Sequence, residues 1–205
     1  MKTRNLVIIF AVAFLFPGCV IWSFYPFYSE NDLFKNEILT GTWQEDDSTQ
    51  WKFQHPEIQK DGQKFIDSTS YILSLNNGRG EESEFSVHLF KLKDTYFLDF
   101  YLENLDTSCG ENRDKDIELW SLHVMPVHTI AKLTIEKDKL KMKWFDKGWL
   151  EDAIKEKQIK ISHENDGNNL LLTAKTKELQ KLIVKHSDDT LAFQKGIEVT
   201  LTKAN

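Results

Sequence analysis

Apolar and polar residues alternate along most of this chain, and a period of two describes extended strands with one buried face rather than helices. The clearest case is Lys139-Leu140-Lys141-Met142-Lys143-Trp144, where Leu140, Met142 and Trp144 share one face and the lysines the other. Ala131, Leu133 and Ile135 alternate in the same way just upstream, and Glu136-Lys137-Asp138 supplies a turn, so the two runs read as a hairpin. Phe85, Val87 and Leu89, the turn Lys93-Asp94, and Tyr96, Leu98 and Phe100 make a second hairpin with an aromatic face. Further strands are expected at Ile38 to Gln44, Trp51 to Gln54, Ser70 to Leu75, Leu119 to His123, Asn169 to Ala174 and Ile197 to Thr202. Helical spacing replaces alternation at Lys147 to Lys157, with Asp146 as its cap, and at Lys177 to Lys185, with Thr176 as its cap. Gln54 to Lys64, Asn76 to Glu82 and Asp106 to Asp116 read as polar loops. The expected fold is α+β and mainly β: an antiparallel sheet or lipocalin-like barrel with two short helices in the C-terminal half.

The start of the chain reads as an address. Lys2 and Arg4 precede an apolar run, Leu6 to Phe16, which ends in Pro17-Gly18-Cys19. As a helix that run reaches only about 16 Å, against a hydrocarbon core of about 30 Å. This layout is that of a bacterial lipoprotein signal, in which residues 1–18 are removed and Cys19 is acylated. An uncut membrane anchor and a plain secreted protein are the alternatives; Pro17 and Gly18 argue against the first, and the lack of an Ala-x-Ala site against the second. Residues 19–36 are then expected as lipid anchor and tether, with five aromatic rings between Ile21 and Tyr28 that either sit at lipid headgroups or cover the domain. Residues 37–205 form the single β-rich domain. The domain is expected to face the periplasm or cell exterior, and Val20 favours the outer membrane because it is not the acidic residue that retains many lipoproteins at the inner one.

Removing Lys2 and Arg4 with the leader leaves 24 basic against 32 acidic side chains, a net charge of −8. No basic stripe stands out against that background, so nucleic acid is not an expected partner. The expected partners are the membrane, through acyl chains on Cys19, and either a protein or an apolar small molecule. Cys109 is the one other cysteine, which leaves no disulfide framework.

No constellation licenses a named reaction or a cofactor. His123 and His128 fall on opposite faces of an extended chain and cannot share a metal ion without a bulge between them. Asn112, Asp114, Asp116 and Glu118 alternate as oxygen donors but lack the turn glycine and distal glutamate of a calcium loop. His88, His163 and His186 have no Ser or Cys nucleophile at a recognisable spacing, and the carboxylates form no identifiable acid and base pair. The protein is therefore expected to be non-catalytic.

Two resemblances add to this reading. Gly41-Thr42-Trp43 resembles the Gly-x-Trp signature near the start of lipocalins, whose indole plugs the closed end of a ligand-holding barrel; the arginine that partners it there is missing from Ile197 to Asn205. That resemblance implies a carrier with a cavity lined by Trp43, Phe85, Leu98 and Phe100. Over nearly the whole mature chain, the sequence resembles a group of uncharacterised bacterial lipoproteins. The match runs through Gly18-Cys19-Val20, Pro26-Phe27-Tyr28, Asn31-Asp32-Leu33, Leu39-Thr40-Gly41-Thr42-Trp43, Phe97-Leu98-Asp99, Pro126-Val127-His128-Thr129, Leu172-Thr173-Ala174, Glu178-Leu179-Gln180 and Lys185-His186. This second resemblance implies lipidation at Cys19 and an extracytoplasmic mixed β fold, and no catalytic residues.

Overall fold

A computed structural model describes residues 20–46, 48–60, 62–76, 78, 82–102 and 125–204. Cys19, Cys109, His123, the run Asn112 to Glu118 and the strand expected at Leu119 to His123 lie outside the described residues. In chain order the strands are β1 (Trp22–Ser23), β2 (Gly41–Gln44), β3 (Gln50–Gln54), β4 (Glu57–Lys60), β5 (Gln63–Ile66), β6 (Tyr71–Asn76), β7 (Glu82–Leu92), β8 (Thr95–Leu102), β9 (His128–Glu136), β10 (Lys139–Trp144), β11 (His163–Asn165), β12 (Leu170–Leu172) and β13 (Glu198–Lys203). Two helices, α1 (Lys147–Lys155) and α2 (Thr176–His186), fall between β10 and β13.

Eight of the strands close into a barrel. Around it the order is β2, β3, β6, β7, β8, β9, β10 and β13, and β13 pairs back onto β2, each neighbour antiparallel. Alternation sends Trp43, Trp51, Phe53, Tyr71, Leu73, Val87, Leu89, Leu98, Phe100, Leu133, Leu140, Met142, Trp144 and Leu201 into one shared interior. The two expected hairpins are present, with registers Leu89 to Leu98 and Leu133 to Met142.

Segment 33–40 plugs one end. Leu39 is fully buried in the barrel cluster, and Phe34 packs on Tyr96 with ring centroids 5.1 Å apart. The Phe34 amide donates to the Leu89 carbonyl at 2.9 Å, and the Tyr71 hydroxyl donates to the Asn36 carbonyl. Burial, and the charge of Glu37, push the Tyr71 phenol up to about 12, so it stays a donor at physiological pH. The Trp43 indole donates to the Leu39 carbonyl at 2.7 Å. Lys203, at the end of β13, lies over the same indole: its Nζ is 4.5 Å from the Trp43 ring centroid and donates to the Thr40 carbonyl at 2.7 Å. Gly41 has a φ of +116°, a backbone conformation that L side chains rarely adopt, which is what favours glycine here.

The connection from β10 to β13 leaves the opposite end and folds along the barrel's outer wall. There Phe90, Phe97 and Ile130, pointing outward, join Phe145, Leu150, Leu172, Leu179 and Ile183 in a second core. The Asp146 carboxylate caps α1, accepting from the Trp149 amide at 3.2 Å. The cap of α2 is Lys175 instead of Thr176; Thr176 is the first helical residue, and its hydroxyl donates to the Pro26 carbonyl at 2.8 Å.

Residues 20–36 are part of this domain. Val20 bridges to Asp146, β1 pairs antiparallel with β9 and parallel with β12, and Ile21, Ser23 and Phe27 are buried. The packing is that of a cover on the domain, not of a free tether. The stretch Gln54 to Lys64, expected as a loop, instead holds β4 and the start of β5, a two-stranded sheet of its own.

Leu98 has no exposed surface and Lys203 closes over an indole. Leu98→Ala should therefore lower the unfolding free energy by about 2–5 kcal/mol, and Lys203→Ala by about 1 kcal/mol. Urea unfolding followed by tryptophan fluorescence measures both; a loss below about 1 kcal/mol for Leu98→Ala would mean open space beside that side chain.

Candidate functional site

The four residues expected to line a cavity, Trp43, Phe85, Leu98 and Phe100, do converge on the barrel interior. They differ in what surrounds them. Trp43 lies against the plug, and Leu98 has no surface that a water molecule can reach, so neither borders open volume. Phe100 packs on Trp144 at 5.3 Å between ring centroids, and Phe85 pairs with Leu102 toward the unplugged end, where Phe85, Leu75 and Leu102 are half-buried. The interior is thus closely packed beside the plug and around Leu98.

A polar cluster sits on the outer wall, where the N-terminal segment crosses β7, β8 and β9. Asp99 is fully buried there. Its Oδ2 accepts from the Phe27 amide at 2.9 Å, and its Oδ1 lies 2.7 Å from His128 Nδ1. A carboxylate only accepts, so the imidazole donates through Nδ1 and its Nε2 is left for another partner. Tyr101 covers His128 with centroids 4.6 Å apart. Across the β7–β8 ladder, His88 stands opposite Asp99, stacked on Tyr28 at 4.3 Å. The His88 Nδ1 is buried without a hydrogen-bond partner. Burial holds the His88 imidazole below its ordinary pKa, against the pull of Asp99 and Asp67. Burial, with the negative charges of Asp99 and Asp67, holds the Tyr28 phenol well above the ordinary tyrosine range.

Chemically, an aspartate that orients a histidine supplies two of the three members of a nucleophilic triad. The third, the nucleophile, is missing among the described residues: no serine, threonine or cysteine is hydrogen-bonded to His128, and the buried Ser23 hydroxyl donates to the Tyr25 carbonyl at 2.8 Å. No three His, Cys, Asp or Glu side chains among the described residues group around a metal-sized space. What the cluster does is fasten the N-terminal segment, since Asp99 satisfies an amide that has no strand to pair with. The pair lies 29 positions apart in sequence, and only the β8–β9 register brings it together. The sole sequence signals were an acidic residue inside an aromatic strand and a histidine directly after Pro126-Val127.

Comparison with protein-family models, curated proteins and solved structures finds no match for the chain.

A histidine whose pKa is lowered by folding makes the unfolded chain the better proton acceptor as pH falls below about 6.5. The stability associated with His88, and with His186, whose pKa burial also lowers, is thus present at neutral pH and lost on acidification. Urea unfolding at pH 7, 6 and 5 should show falling stability, and His88→Phe, which keeps the stack on Tyr28, should reduce the slope. Asp67 and Asp32 have lowered values, so their losses come in a separate step below about pH 4.

Proposed function

We propose that this protein is a lipid-anchored, extracytoplasmic interaction module without catalytic activity, held at a membrane by acyl chains on Cys19 and facing the periplasm or cell exterior. The observation that carries the reading is the placement of the two ends. Val20 bridges to Asp146, just beyond β10, and β1 pairs with the first residues of β9, so the chain enters at the unplugged end of the barrel. With Val20 already inside the fold, an acyl group on the preceding residue would hold the barrel directly on the bilayer surface. The β4–β5 hairpin leaves from the plugged end, between the end of β3 and the start of β6. It would point away from the lipid.

The hairpin has the chemistry of a contact element. Ile58 and Phe65 face each other across the two strands and are 46% and 48% exposed, and Ile66 is 69% exposed. A two-stranded sheet is marginally stable alone, and both of its edges are unpaired among the described residues. An extended segment of a partner protein, added as a third strand with apolar side chains over Ile58 and Phe65, would satisfy both needs.

The second reading is a lipocalin-like carrier of an apolar small molecule. It is favoured by the closed eight-stranded barrel, plugged at one end beneath a buried Gly-x-Trp tryptophan. A carrier would co-purify with an apolar mass beyond the Cys19 acyl chains, visible in native mass spectra.

Two measurements test the anchored module. Cys19→Ala should abolish incorporation of a palmitate analogue and release the protein from membranes; acylation that persists in that variant removes the anchor. A photo-crosslinking residue at position 65 should yield a defined adduct in intact cells, lost with Ile58→Lys, whereas the same residue at Lys139 should not. Absence of any adduct at position 65 would defeat the proposed docking role.

A further inference from the structure

A groove of about 530 Å³ runs between residues 158–162 and one face of α2. That volume lies within the range of small-molecule sites, roughly 300–1,000 Å³. Both walls are fixed independently of any ligand. The Ser162 carbonyl accepts from the Thr173 and Ala174 amides at 3.0 and 3.2 Å, which pins the first wall to the end of β12. On its far side α2 is held by Thr176 on the Pro26 carbonyl and by Gln180, whose Nε2 donates to the Phe27 carbonyl at 3.1 Å and to Asp32 Oδ2 at 2.8 Å.

The lining is amphipathic. Ile159 and Leu182 are buried side chains at the floor, each 8% exposed. Lys181 and Lys185 project one turn apart from α2, and Lys160 stands on the opposite wall. None of the three lysines has a hydrogen-bonded or ion-paired partner among the described residues, and Glu178 is the one carboxylate in the lining. Lys185, in the last turn of α2, has an ordinary explanation in the helix dipole. Lys181, in the middle of α2, and Lys160, outside any helix, do not. In a chain whose net charge is −6, a local excess of unpaired positive charge above an apolar floor is complementary to one kind of ligand.

We propose that this groove binds a small amphipathic anion: an apolar chain over Ile159 and Leu182, ended by a phosphate or carboxylate held by Lys160, Lys181 and Lys185. The site is separate from the barrel interior and from the β4–β5 hairpin, and it stands whether or not the protein is acylated. Two sources offer the same chemistry, a free amphiphile and the headgroup region of an anionic lipid.

The test uses the full chain in phosphatidylcholine nanodiscs, with empty nanodiscs as the blank. It is titrated with hexyl phosphate, inorganic phosphate and hexanol. Hexyl phosphate should bind saturably, one per chain, and at least about tenfold more tightly than either fragment, since each supplies only one of the two contacts. Lys160→Glu and the double variant Lys181→Glu/Lys185→Glu, on opposite walls, should each weaken hexyl phosphate at least about tenfold with unchanged circular dichroism. Equal binding by the variants, or inorganic phosphate as tight as hexyl phosphate, overturns the proposal. Repeating the titration in phosphatidylglycerol nanodiscs separates the sources: competition assigns a bilayer lipid as the ligand, and unchanged affinity assigns a free amphiphile.

Discussion

Everything in this fold turns on β9, which makes three sets of strand pairings. It pairs with β8 from His128 to Leu133, with β10 from Ala131 to Glu136, and with β1 at His128 and Thr129. The β9–β10 ladder closes the barrel. Because β10 ends at Trp144, opposite Ala131, the first residues of β9 would present an open edge there. An open edge is a template for unwanted pairing, and β1 occupies it. The N-terminal segment is therefore a piece of the barrel wall, and through its parallel pairing with β12 it also brings the second core onto that wall.

The price of this arrangement is a buried charge. The outer faces of β8 and β9 supply Phe97 and Ile130 to an apolar core, yet Asp99 lies beside them with no exposed surface. A carboxylate in such a place is costly unless its oxygens are satisfied, and both are, by the Phe27 amide and by His128. A hydrophobic residue at position 99 could pack as well but could not fix where the segment crosses. The carboxylate thus sets the position of the crossing chain together with the bonds that Thr176 and Gln180 donate to the Pro26 and Phe27 carbonyls.

The sequence announces those elements whose two faces meet different solvents. The hairpins β7–β8 and β9–β10 alternate because one face lines the interior, and α1 and α2 show helical spacing because each has one stripe on the second core. Strands β4 and β5 escape notice for the opposite reason: every residue of β5 is exposed, and neither side of the hairpin is repeatedly apolar. The two-residue β1 is too short for any period to show. Lys203 carries no signal of its own in the sequence, because a cation above an indole and a donor to the Thr40 carbonyl can come from any long basic side chain, an ammonium as well as a guanidinium. The Asp99–His128 pair depends on strand register, a property of two elements together that neither segment carries alone.

An eight-stranded barrel is about wide enough for its own side chains to fill, or to hold one small ligand. Here six large rings, Trp43, Trp51, Phe53, Tyr71, Phe100 and Trp144, take up the interior. The chain has two cysteines in 205 residues, so its stability comes from apolar burial, and those rings supply much of the buried area. The demands of stability and of a roomy interior conflict, and from the plug to the level of Leu98 stability prevails. The two proposed recognition features lie where packing is not needed: on a hairpin that leaves from the plugged end, and in a groove whose walls are held by hydrogen bonds to other parts of the fold.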